Sequence, residues 1–120
     1  MDRRVRCFGK EARLSRPKDY QRVFESACRS VDGCLIVLAR ENGLDHARLG
    51  FAISRSHIKT AVNRNRIKRL VRESFRNHQA ELRGLDVVVI ARKSTAGFTK
   101  QSLLSSLSHH WQRLVPCKHS

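Results

Sequence analysis

A chain of 120 residues with 40% hydrophobic content suffices for one modest core, so a single domain is expected over residues 1–120. Twenty-five Lys and Arg against ten Asp and Glu leave a formal net charge of +15. Such a surface selects polyanions, because each cation that neutralises a phosphate also releases condensed counterions. A membrane partner would need a long apolar stretch or a basic helix with a bulky apolar face, and neither is evident.

Met1 to Lys10 is basic and lacks the apolar run of a secretory signal, which predicts a cytoplasmic protein. Arg3, Arg4, Arg6, Lys10 and Arg13 show little periodicity, so residues 1–13 read as a basic arm. A helix follows, with Ser15 as cap, Pro17 in the first turn, and Tyr20, Val23, Phe24 and Ala27 at the spacing of one face. Its end is expected near Ala27. Cys34-Leu-Ile-Val-Leu-Ala-Arg40 reads as a strand, with a turn at Asn42-Gly43. A second strand, Arg48 to Ser54, alternates Leu49, Phe51 and Ile53 with Gly50, Ala52 and Ser54. The face of small residues either takes a close-packed helix or floors a groove. From about Ile58 to His78 the pattern is helical, and Asp86 to Ala91 reads as a buried strand covered on both faces. A last helix is capped by Thr99, stapled by Phe98 and Leu103, and striped by Leu103, Leu107, Trp111 and Leu114. Residues 116–120 are expected to form a flexible tail. This order of elements implies an α+β fold with helices packed on a small mixed sheet.

The four cysteines, Cys7, Cys28, Cys34 and Cys117, lack the short paired spacing of zinc sites and read as free thiols. No metal site is predicted. The ten acidic residues are scattered, with no close pair on one element, so a protein-based site for metal-assisted hydrolysis is not expected. His109 and His110 are adjacent on the last helix and point in different directions, which argues against an acid–base pair.

The informative segment is Val62 to Arg76. On a helix, Ile67, Leu70, Val71, Ser74 and Phe75 gather on one side, and Asn65, Lys68, Arg69, Arg72 and Arg76 gather on the other. A merely solvated ridge usually interleaves carboxylates at i+4, whereas this one holds only Glu73, so a polyanion is the simpler account of its charge. Arginine predominates, favouring forked contacts to phosphate or guanine edges, and Asn65 adds a donor and an acceptor. RNA and DNA are not separated by this pattern. From spacing alone, Tyr20 and Phe24 favour a place in the core over a role as a stacking platform.

Asn63-Arg-Asn-Arg-Ile-Lys-Arg-Leu-Val-Arg72 resembles the arginine-rich signature of the bacterial ribonuclease P protein family. Asp19-Tyr-Gln-Arg-Val-Phe24, Arg48-Leu-Gly-Phe-Ala-Ile-Ser54 and Val87-Val-Val-Ile-Ala-Arg-Lys93 follow in the family's order, so the resemblance runs from about Leu14 to Leu114. It implies a two-layer α-β sandwich whose basic helix is a left-handed β-α-β crossover, against the usual right-handed rule. It implies that Arg64, Asn65, Arg66, Lys68, Arg69 and Arg72 bind the catalytic RNA. A cleft formed by Tyr20, Phe24, Ile36, Leu38, Ala52, Ser54 and Arg55 would hold the single-stranded 5′ leader of precursor tRNA. The chain would then be the protein subunit of an endonuclease whose chemistry and Mg²⁺ ions belong to the RNA, one protein per RNA, with no DNA partner. It would raise affinity for precursor and broaden the substrate range. Two departures stand out: Arg55-Ser56 replaces the paired lysines of many relatives, and Ile36 and Leu38 stand where some place an aromatic. The alternatives are a ribosomal or other structural RNA-binding protein, or a DNA-binding regulator.

Overall fold

The computed structural model describes residues 12–119. In chain order they form α1 (Pro17–Glu25), β1 (Cys28–Val31), β2 (Leu35–Glu41), β3 (Arg48–Ala52), α2 (Ala61–His78), β4 (Leu85–Ala91) and α3 (Lys100–Leu114), with a closing 3-10 turn over Val115–His119. The four strands make one mixed sheet in the order β1-β2-β4-β3. β4 runs antiparallel to β2 and parallel to β3, so α2 is the crossover between two neighbouring parallel strands. Its central place explains why Leu85 to Val89 are buried without alternation.

One face of the sheet carries the main core. Leu35, Val37, Val87 and Val89 meet Ile67, Val71 and Phe75 of α2 and Leu107 and Trp111 of α3. The polar member of the apolar α2 face, Ser74, is there because its hydroxyl accepts the Trp111 indole N–H at 2.8 Å. On the opposite face Leu14 and Val23 pack on Leu38 and Val88, and α1 lies across that surface.

Caps place the two long helices as expected at Thr99 and three residues later than expected at α2. Thr60 Oγ1 accepts the Asn63 N–H at 3.2 Å, while Ile58 is buried in the preceding turn. The first helix differs at both ends: Arg16 precedes it without a side-chain cap, and Ser26 turns extended before Ala27. β1 was not anticipated, since four residues with two polar ones give too little pattern. It forms because the Asp32 carboxylate accepts the N–H groups of Cys34 and Leu35, at 2.8 and 2.9 Å, closing a tight hairpin onto β2.

Two readings of the sequence are corrected. Cys28 and Cys117 are joined in a disulfide across 89 residues, with Cα atoms 6.3 Å apart, so of the described cysteines Cys34 alone is a free thiol. Within the segment expected to be a flexible tail, the residues up to His119 therefore form a 3-10 turn tied to β1 through Cys117. Distance along the chain carries no information about this proximity, which the fold creates by laying α3 beside β1. Cys7 and most of the basic arm lie outside the described residues; Arg13 and Leu14 do not, and Leu14 donates its N–H to Leu49 O at 2.9 Å along the β3 edge.

Candidate nucleic-acid interface

α2 separates its two faces as its sequence predicts, with Ile67, Leu70, Val71, Ser74 and Phe75 buried. The opposite face is not uniform. Asn65 and Arg69 are exposed, whereas Lys68 and Arg72 lean over the Phe51 ring, with Nζ 6.0 Å and Cζ 5.5 Å from its centroid. Arg64 turns back on the chain, donating to Ile58 O at 2.8 Å and Lys59 O at 3.2 Å, and Arg66 donates to Phe98 O at 2.9 Å. Two signature arginines thus brace loops, Arg64 the one before α2 and Arg66 the one before α3, while retaining further N–H donors for a ligand.

Beside Phe51 a recess of about 490 Å³ is bordered by Arg13, Tyr20, Arg72 and Arg76. Partial burial, then the neighbouring charges of Arg13 and Arg76, push the Arg72 guanidinium below its usual pKa. Crowded like charges of this kind favour an anion that relieves them.

The second face of the sheet holds a different surface. Phe24, Ile36 and Leu38 meet there as expected, together with Glu25, Arg29 and Ile90, around a recess of about 370 Å³. Phe24 is 51% exposed, so it is no core residue; Val23 takes the buried position beside it. Tyr20, one turn earlier, is an anchor. Its hydroxyl accepts the Phe51 N–H at 3.1 Å, and its ring lies so close to Gly50 that a Cβ there would fall 2.6 Å from the hydroxyl oxygen. The small-residue face of β3 therefore takes a close-packed helix at Gly50. Ala52 adjoins the same apolar cluster, while Ser54 and Arg55 stand exposed beyond the strand and border neither recess.

Polar ties fix α1 over this face. Arg48 grips Asp86 with two bonds of 2.8 and 2.7 Å and reaches Asp19 of α1 at 3.3 Å. The hydrogen bond to Asp86, opposed by burial, raises the Arg48 pKa, so this guanidinium is held as a structural cation. Arg40 donates to Arg22 O at 2.8 Å near the end of α1. Asp19 and Asp86 are brought together from distant positions, but Arg48 occupies the space between them. Among the described residues no group of three His, Cys, Asp or Glu side chains is arranged to hold a metal ion.

A buried polar set joins α3 to the β1–β2 hairpin. His110 Nδ1 lies 2.7 Å from Ser30 Oγ, His110 Nε2 lies 3.3 Å from Asp32 Oδ2, and Ser106 donates to the same oxygen at 2.6 Å. Burial works against the Asp32 charge, but bonds from Ser106, Leu35 and Cys34 and the proximity of His110 prevail and hold its pKa at about 2. Burial lowers the His110 pKa, with Asp32 opposing. Ser30 is only 4% exposed and His110 not at all, so this Ser-His-Asp set fastens elements and presents no nucleophile to a substrate. His109, as the sequence indicates, points away and is exposed.

The family model for ribonuclease P matches residues 8–115. The chain belongs to the ribonuclease P protein family. The ribonuclease P protein component of Methylococcus capsulatus is 53% identical over 104 residues, covering 87% of this chain and 81% of that protein. The Vibrio cholerae component is 48% identical over 108 residues, covering 90% and 92%. Among solved structures, the Staphylococcus aureus RNase P protein at 2.0 Å aligns with a TM-score of 0.79 at 31% identity, over 85% of this chain and 94% of that one. The Thermotoga maritima protein aligns at 0.75 and 31%, over 84% and 96%. The chain is therefore a protein subunit of ribonuclease P, an RNA-binding component of a tRNA-processing endonuclease. No described helix of this family member is long and apolar enough to cross a membrane.

Proposed function

We propose that the exposed part of α2 docks on the ribonuclease P RNA, and that the recess under Phe24 holds the single-stranded 5′ leader of precursor tRNA. The observation that carries this reading is the division of the surface. Asn65, Lys68, Arg69 and Arg72 form a cationic ridge on one layer, and a half-exposed aromatic ring borders an apolar recess on the other. A cationic ridge suits a folded phosphate backbone, whereas an aromatic ring over Ile36 and Leu38 suits unpaired bases. Arg64 and Arg66 contribute to the first surface from its base, and Tyr20, Ala52, Ser54 and Arg55 flank the path of the leader toward it.

In this reading the RNA performs the phosphodiester cleavage and holds the Mg²⁺ ions, because the described carboxylates do not converge on a site for them. One protein joins one RNA, broadens the range of substrates, and works in the cytoplasm. Reconstitution tests it. The chain mixed with a ribonuclease P RNA at low Mg²⁺ should restore leader release from precursor tRNA, and the chain alone should cleave nothing. Cleavage at the mature 5′ end without RNA would refute the division of labour.

A further inference from the structure

We infer that Glu25 reads the identity of one leader base, selecting guanosine and rejecting uridine. This rests on the proposed leader cleft and adds a specificity to it. The sequence gives no reason to place a carboxylate at a site for a polyanion, yet Glu25 borders the same recess as Phe24, Ile36, Leu38 and Arg29. A carboxylate repels phosphate but accepts hydrogen bonds, so its place beside a stacking ring fits a donor-bearing base edge.

The chemistry orders the four bases. An ionised carboxylate accepts hydrogen bonds and donates none. The Watson–Crick edge of guanine offers two adjacent donors, N1–H and the N2 amino group, which match the two oxygens. Adenine and cytosine offer one amino donor beside an acceptor that repels the carboxylate. Uracil offers one imide N–H flanked by two carbonyl oxygens and is the poorest partner. A recess of about 370 Å³ has room for a purine on the apolar floor. Glu25 ends α1, with the α1 ties at Asp19, Tyr20 and Arg22 fixing its backbone, and its carboxylate accepts one long bond, from Gln21 at 3.4 Å. It is thus positioned yet available. Arg29, an exposed residue of the edge strand β1, complements it by meeting the phosphate next to the selected base.

The test uses the complex reconstituted from the full chain, the ribonuclease P RNA and precursor tRNAs whose leader positions are randomised one at a time. At one position the wild-type complex should prefer guanosine over uridine by about tenfold in affinity, the discrimination of one good bidentate contact. E25Q should move the preference at that position toward adenosine, because an amide presents a donor beside an acceptor and pairs with adenine in two bonds. A wild-type complex with no base preference at any position overturns the inference, as does an E25Q complex that keeps the guanosine preference or shifts all four bases alike. F24A separates this failure from that of the underlying cleft. If F24A leaves the ratio of precursor to mature tRNA affinity unchanged, the cleft reading falls and Glu25 with it. If F24A lowers the ratio while E25Q leaves the base order intact, the cleft stands and only the assignment of Glu25 is lost.

Discussion

Tyr20 and Phe24 are one helical turn apart and chemically alike, yet the fold gives them opposite duties. Tyr20 spends its hydroxyl on a backbone N–H of the edge strand and its ring on Gly50, whereas Phe24 leaves half its surface to solvent. Tyr20→Phe should therefore lower stability by about 1 kcal/mol, the net value of one hydrogen bond, and leave tRNA discrimination intact; a chemical denaturation series read beside the precursor-to-mature ratio checks both. Unchanged stability would demote the hydroxyl contact. His110 makes a second prediction at this scale. Its folded pKa lies below the ordinary 6.5, so the unfolded chain binds the proton more readily, and its contribution is present above 6.5 and lost as pH falls below it. Asp32 acts in the same direction lower down: with a folded pKa of about 2 against 3.8, its contribution disappears as pH falls from 3.8 toward 2. The melting temperature should fall as pH drops through the range below 6.5, and His110→Asn should flatten that upper part of the profile. A flat wild-type profile in that range would mean that His110 titrates alike in both states.

Within α2, charge and support are interleaved on one helix. Arg69 is exposed, and Arg66 donates to Phe98 O in front of α3. Arg69→Ala should reduce the slope of log affinity against log salt for the RNA by about one and leave the melting temperature unchanged. Arg66→Ala should lower the melting temperature as well, because a half-buried carbonyl loses its donor at a cost of about 1 kcal/mol. Equal melting temperatures for the two variants would place Arg66 with the solvent-facing residues. This distinction marks how far the sequence could be read. Period 3.6 assigns each α2 residue to its face, and every residue placed in the apolar set is buried. The same period cannot say that an arginine on the polar face bends back to a carbonyl 32 residues away. Likewise Phe24, Ile36 and Leu38 were legible as cleft residues through the family resemblance, while Glu25, Arg29 and Ile90 were not, because only the pairing of β1 with β2 and of β2 with β4 brings them together. The disulfide partners and the meeting of Asp19 with Asp86 escaped notice for that reason: long-range proximity has no local pattern.

In the whole molecule a single sheet keeps two surfaces apart. α2 and α3 cover one face, α1 and the Phe24 recess occupy the other, and the buried strand β4 lies between. Arg69 lies on α2, whose apolar face joins the main cluster, and Phe24 lies on α1, whose Val23 joins the other, so the two sit on separate elements against separate cores, the condition under which mutational effects add. Two assays on the same samples test this. The first measures binding of the protein to the ribonuclease P RNA; the second measures the ratio of precursor to mature tRNA affinity of the assembled complex at saturating protein. Arg69→Ala should move only the first. Phe24→Ala should move only the second, by about 1 to 3 kcal/mol for one stacked base. The double variant should show both losses, each within about 0.5 kcal/mol of its single-variant value. If removing Arg69 also erases the tRNA preference, or removing Phe24 also weakens the RNA complex, the leader and the RNA subunit share one surface and the assignment of a face to each is wrong.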